Sequence, residues 1–241
     1  MIRIFFAFLF FSSSLMCFAQ KRIRVHANDI KNVVIDGDLS EWREALLPVS
    51  EANDFAYHIA QDEKNIYIAI LIQDNTLQSM ATIEGISIRM EAEEKGNKDA
   101  VLWFPYADDE VRRALMREDR DQRSAADLKN ALMQRSRGYY AYGFSGTPEG
   151  LLAINNSYGL AAQGKLTDSL GLAYEVVIAK DRWDFNKSPF NMKLEIHEDR
   201  SELLAKKQTT PGRNAHATVN GNRRKSSKRD FINKVLLEIE L

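Results

Sequence analysis

Hydrophobic and polar positions alternate with a period of two over much of this chain, the pattern of strands that turn one face to a core. Phe55, Tyr57 and Ile59 fall on one side and Ala56, His58 and Ala60 on the other. After the polar turn Asp62-Glu63-Lys64-Asn65, residues 66–72 are apolar on both faces. That predicts a central strand covered on both sides and paired with the first segment as a hairpin. Ile86, Ile88 and Met90 alternate with Ser87, Arg89 and Glu91, and a turn-rich stretch at 94–99 leads into Val101-Leu102-Trp103-Phe104, which predicts a second hairpin. Further strands are predicted at 140–144, 151–155, 172–178, 190–196 and 235–239. Many short strands separated by turns read as a mostly β protein, an antiparallel sandwich of the jelly-roll or immunoglobulin-like kind.

Residues 108–137 break this rhythm. Val111, Leu115 and Met116, then Ala125, Leu128 and Leu132, recur at spacings of three and four, and Ser124 with Asp127 three residues on is a capping pattern. This predicts a helical insertion over one edge or mouth of the sandwich. Its charges (Arg112, Arg113, Arg117, Glu118, Asp119, Arg120, Asp121 and Arg123) read either as a solvated face of i,i+4 pairs or as a binding face. Residues 206–229 hold eight Lys or Arg, no acid and few large apolar side chains. They predict a long mobile basic loop, or an anion-binding lip for an acidic polysaccharide or lipid head group.

Met1-Ile2-Arg3 and the apolar run Ile4–Phe11, followed by small and polar residues up to Ala19, form the sequence of an export signal, with cleavage expected after Ala19. The apolar block is shorter than the roughly 20 residues needed to span a bilayer, so a transmembrane anchor is disfavoured. Cys17, the one cysteine, then departs with residues 1–19, leaving a mature domain 20–241 without thiol chemistry. A lipoprotein processing site fits poorly because Met16 precedes that cysteine. The expected address is the periplasm or the cell exterior.

At 241 residues, 44% hydrophobic and 28% charged, the composition is that of an ordinary globular domain. A formal net charge of −1 excludes a global field that would steer the molecule onto nucleic acid or an anionic membrane.

Three segments in order carry a family resemblance: Val33-Val34-Ile35-Asp36-Gly37-Asp38-Leu39-Ser40-Glu41-Trp42; then Asn65-Ile66-Tyr67-Ile68-Ala69 running to Gln73-Asp74; then Leu172-Ala173-Tyr174-Glu175-Val176-Val177-Ile178 before Trp183. Together they resemble the carbohydrate-binding module family 9-like (DOMON-like) sandwiches, in which a strand enters an Ile-Asp-Gly turn and a short helical turn ending in tryptophan. The resemblance spans most of the chain after residue 19. The helical insertion and the basic loop depart from the family pattern, as does the lack of an acid between Ile86 and Met90. What the resemblance implies is an exported, non-catalytic carbohydrate-binding protein accessory to polysaccharide binding or breakdown.

Glycan recognition needs aromatic faces for the apolar side of pyranose rings and planar polar groups for their hydroxyls. Trp103, Trp183, Tyr140 and Tyr142 are the candidate platforms, each with a packing role as the alternative, and Trp42 reads as core. Asp36, Asp38 and Glu41 gather carboxylates at a turn; they read as calcium ligands or as caps of turn amides. His26, His58, His197 and His216 lack metal-ligand spacing. No nucleophile elbow, phosphate loop or His-Glu-x-x-His pattern is present. Two other functions stay open at this point: a haem-binding electron-transfer subunit, and a structural envelope protein that docks a partner protein.

Overall fold

A computed structural model describes residues 22–42, 46–48, 55–92, 98–106, 109–117, 124–167, 171–185, 188–200 and 232–241. The expected export signal and the basic stretch 206–229 lie outside the described residues.

In chain order the strands are β1 (Ile23–His26), β2 (Asn28–Asp29), β3 (Leu47–Pro48), β4 (Phe55–Gln61), β5 (Asn65–Ile72), β6 (Ile86–Glu91), β7 (Ala100–Tyr106), β8 (Gly138–Tyr142), β9 (Gly150–Ala153), β10 (Leu160–Leu166), β11 (Leu172–Ala179), β12 (Phe190–Ile196) and β13 (Lys234–Glu240). Helix α1 (Asn75–Glu84) joins β5 to β6, and α2 (Asp109–Arg117) and α3 (Ala125–Gln134) lie between β7 and β8. The strands form two mixed sheets. One has seven strands in the order β1-β13-β12-β6-β7-β8-β9; the other runs β10-β11-β5-β4-β2, with β3 also paired to β4. Pairing is antiparallel except at β1 with β13 and β2 with β4. The protein is thus a mostly β sandwich with a helical insertion, and both hairpins and every strand predicted above are present.

The inner faces build one core. Tyr57, Ile59, Ile68 and Val176 of the smaller sheet meet Ile88, Leu102, Tyr139 and Leu194 of the larger. Each such side chain withdrawn from water contributes about 1.5–3 kcal/mol, so burial between the sheets is the main cohesive force. Strand β12 alternates buried and half-buried positions along its whole length. β5 is buried on both faces, as its sequence predicts. β4 departs from expectation: its alternation is genuine, yet Ala56, His58 and Ala60 are buried too. The physical reason is a second, smaller apolar cluster in which Trp42, Ile30, Val33, Ile35, Leu39 and Leu46 cover the outer face of this sheet over Ala60, Tyr67 and Ala69. Small residues on that face leave room for the covering segment.

α3 begins at Ser124, whose hydroxyl accepts the Asp127 amide while the Asp127 carboxylate accepts the Ser124 amide. The helix packs against α1 and the edge strand β10. Its buried Lys129 donates to Gln78 Oε1 at 2.7 Å and Asn75 Oδ1 at 3.1 Å, and burial pushes that ammonium below its usual range. The hydrophobic pattern does not announce α1, because two of the four residues it buries are Gln78 and Thr82. Asp74, which accepts the Thr76 and Leu77 amides, is its start signal.

Candidate functional site

Strand alternation places Ser87, Arg89, Val101, Trp103, Tyr140, Tyr142, Lys193 and Glu195 on the outer face of the seven-stranded sheet. Registers align them in two cross-strand rows. Tyr142 faces Val101, Val101 faces Arg89 and Arg89 faces Lys193; beside them Tyr140 faces Trp103, Trp103 faces Ser87 and Ser87 faces Glu195. Neighbours within a row stand about 5 Å apart, so one row forms a continuous strip of side chains.

The second row is sealed. Trp103 keeps only 2% of its surface, donates from Nε1 to the Glu84 carbonyl at 2.9 Å and stacks on His197 at 3.7 Å between ring centroids. His197 shares a 2.7 Å hydrogen bond with the buried Ser87 hydroxyl. Tyr140 meets the edge of Tyr106 at 4.7 Å, and the Arg200 guanidinium sits 5.0 Å over the Tyr106 ring. Arg200 also donates to the Ile83 carbonyl and approaches Glu84 Oε2 at 3.6 Å. Glu84 is shared with Arg112 at 3.0 Å, and Arg112 in turn reaches Asp109. Burial pushes the Glu84 carboxyl above its ordinary value despite both guanidiniums. The half-buried Arg112 therefore ties α2 to the C-terminal residue of α1 rather than belonging to a solvated face.

These contacts correct the expected platforms. Trp103 and Tyr140 are buried, because His197, Tyr106 and Arg200 close over them, and neither offers a free ring face. Trp183 is half-buried and stands apart, edge-on to Phe185 at 5.2 Å and to Phe190 at 5.5 Å. The structure brings Trp103, Tyr140 and Tyr142 together and leaves Trp183 out of the group.

Tyr142 is the member that keeps surface in solvent. It lies parallel to Tyr140 at 6.0 Å between centroids, so a rigid aromatic base fixes its ring. Two ion pairs flank this corner: Arg89 to Asp99 at 3.3 Å and Lys98 to Glu149 at 3.7 Å. Burial, reinforced by the Glu149 charge, pushes the Tyr142 phenol up; burial and the neighbouring Tyr106 hydroxyl do the same at Tyr140. Both phenols therefore stay protonated. Arg89 was legible as an outward position of β6, but nothing in the sequence spacing links it to Asp99.

The Ile35-Asp36-Gly37 turn forms a different kind of site. Glu175, fully buried on β11, accepts the Gly37 amide at 2.7 Å and the Asp36 amide at 3.1 Å through one oxygen, and Trp42 Nε1 at 2.7 Å through the other. The motif's turn and tryptophan thus converge on the glutamate that follows in the third segment. Asp36 accepts the Asp38 amide at 2.7 Å and Asp38 accepts the Ser40 amide at 3.0 Å, with Lys165 at 3.4 Å. The Ser40 amide, then the Lys165 charge, hold the Asp38 carboxyl below its usual value. The two carboxylates cap turn amides here; among the described residues no group of three or more His, Cys, Asp or Glu is placed to hold a metal ion.

No helix among the described residues is long and apolar enough to cross a membrane. Neither the models of known protein families nor the curated proteins match this sequence.

Proposed function

We propose that the protein is an exported, non-catalytic carbohydrate-binding domain, resembling the family 9-like sandwiches, that contacts its glycan at the Tyr142 corner of the seven-stranded sheet. The observation that carries this reading is a partly exposed tyrosine, stacked on Tyr140, beside two partly exposed ion pairs. A ring edge or face of this kind receives the apolar side of a sugar. A guanidinium and carboxylates beside it can exchange their mutual hydrogen bonds for pairs of sugar hydroxyls. A non-catalytic role is supported by what the perturbed acids do: Glu175 and Glu84 are spent on holding the covering segment and α2. The described Ser–His pair is equally occupied, with Ser87 at 2% exposure beneath Trp103.

Isothermal titration against a glycan panel tests the reading. At least one glycan should bind, and Tyr142→Ala should weaken it roughly threefold to tenfold, the worth of one aromatic contact. Absence of binding to every glycan would remove the carbohydrate assignment and leave the fold untouched.

A further inference from the structure

The edges of the two sheets are protected unequally. β1 carries Arg24, paired with Glu238 and Glu240, and an exposed His26. β2 is two residues long and ends in Asp29. β10 is covered: α3 packs against it, Gly37 lies on the backbone of Gly164 and Lys165, and Lys165 pairs with Asp38. β9 carries no charge and no covering helix, and Asn156 Nδ2 donates to its Ala153 carbonyl at 2.8 Å. It is Gly150-Leu151-Leu152-Ala153, without charge or proline; it pairs with β8 alone, and Leu151 is 45% exposed. A concavity of about 750 Å³ is lined by Leu151, Leu152 and Ala153 together with Asn155, Asn156 and Tyr158, again without a charged side chain. A neutral edge that neither a helix nor a charge covers, with space beside it, is a template for strand addition.

We infer that β9 pairs with β9 of a second copy, joining two seven-stranded sheets edge to edge across a two-fold axis. The edge suits its own copy. An antiparallel pairing with Leu152 opposite Leu152 sets the exposed Leu151 against the exposed Ala153 of the second copy, large against small. The same register sets Glu149 against Asn155, so no like charges meet. Extending the sheet keeps both outer faces on one side. Three strand spacings across and six residues along then separate the two Tyr142 side chains, about 24 Å in all. This consequence rests on the glycan reading: a polymer spanning both corners would be held by two contacts, and the second would be intramolecular.

Molar mass measured by light scattering over a concentration series tests the dimer without any glycan. Twice the monomer mass is expected at about 100 μM, and Leu151→Lys, a change at an exposed position, should weaken association by about tenfold or more, since 1.4 kcal/mol suffices for that factor. Circular dichroism of the variant should match the unchanged protein. A monomer mass at every concentration, or a dimer that Leu151→Lys leaves intact, overturns the inference. Either result leaves the Tyr142 reading to be judged by titration alone. If both hold, a polysaccharide should bind the unchanged protein more tightly than Leu151→Lys does, while a monosaccharide should bind the two equally.

Discussion

The two outer faces of the sandwich have opposite chemistry. On the six-stranded sheet, alanines and Tyr67 face outward under Trp42 and a run of aliphatic side chains, and the chain seals that face with its own segment. On the seven-stranded sheet the outward positions of β6 and β12, apart from the buried Ser87, are Arg89, Glu91, Asn191, Lys193 and Glu195, which need no apolar cover. Recognition can reside on only one of these faces. A face closed by the fold's own chain is occupied, whereas a polar face with a few anchored aromatics can trade its ion pairs for a ligand. One buried carboxylate holds the closed side shut, since Glu175 gathers both the turn and the tryptophan.

The largest break in this contrast should come from Glu175→Ala. Three N–H donors lose their acceptor inside a covered face, and each unpaired buried donor costs about 1–3 kcal/mol. With partial relaxation the loss in unfolding free energy should be about 3–5 kcal/mol by urea titration. Trp42 should become accessible to an aqueous quencher. A loss under about 1 kcal/mol would show that the covering segment is held by apolar contact rather than by Glu175.

On the open side the comparable constraint is Gly85. Its φ of 95° lies where side chains are strained, and an added Cβ would fall 2.2 Å from Trp103 Nε1. Gly85→Ala should therefore cost about 2–4 kcal/mol and displace Trp103 from the Glu84 carbonyl and from His197, with a changed near-ultraviolet dichroism. Little effect would mean that the sealed second row is looser than its contacts indicate.

How legible these two faces were in the sequence follows from which forces made them. Strands with strict alternation, such as 190–196, were readable because a period of two is a local property. Strand β10 was not, since Gln163, Gly164 and Lys165 dilute its pattern and its place depends on α3 and the Gly37 turn. α1 was hidden because Gln78 and Thr82 satisfy their polar groups on backbone carbonyls when buried, which hydropathy cannot express. For the site, residue type pointed to aromatics, yet exposure is decided by partners far along the chain. Trp103 is closed by His197 and Tyr140 by Tyr106, whereas Tyr142 keeps solvent. The Glu175 hub was half legible: the motif's pieces were visible in order, but that they meet on one carboxylate is a fact of three dimensions.

The finest test of the closed face is electrostatic. Burial pushes the Glu175 carboxyl above its ordinary value of 4.5, while hydrogen bonds from Trp42, Gly37 and Asp36 pull it part of the way back. A group that holds its proton more tightly folded than unfolded adds stability in acid. That contribution is complete below the unfolded value and is lost as pH rises through the folded one. Glu175→Gln cannot titrate and keeps one acceptor oxygen, so it should cost only about 1–2 kcal/mol. The advantage of the unchanged protein over Glu175→Gln should be greatest below pH 4.5 and shrink as pH rises above it. Paired urea titrations from acid to neutral pH read this difference directly, and other carboxylates cancel in the comparison. An advantage that grows toward neutral pH would mean that the three donors outweigh burial. The covering segment would then be latched by a carboxylate that prefers its charge, and acid rather than base would be the condition that loosens the closed face.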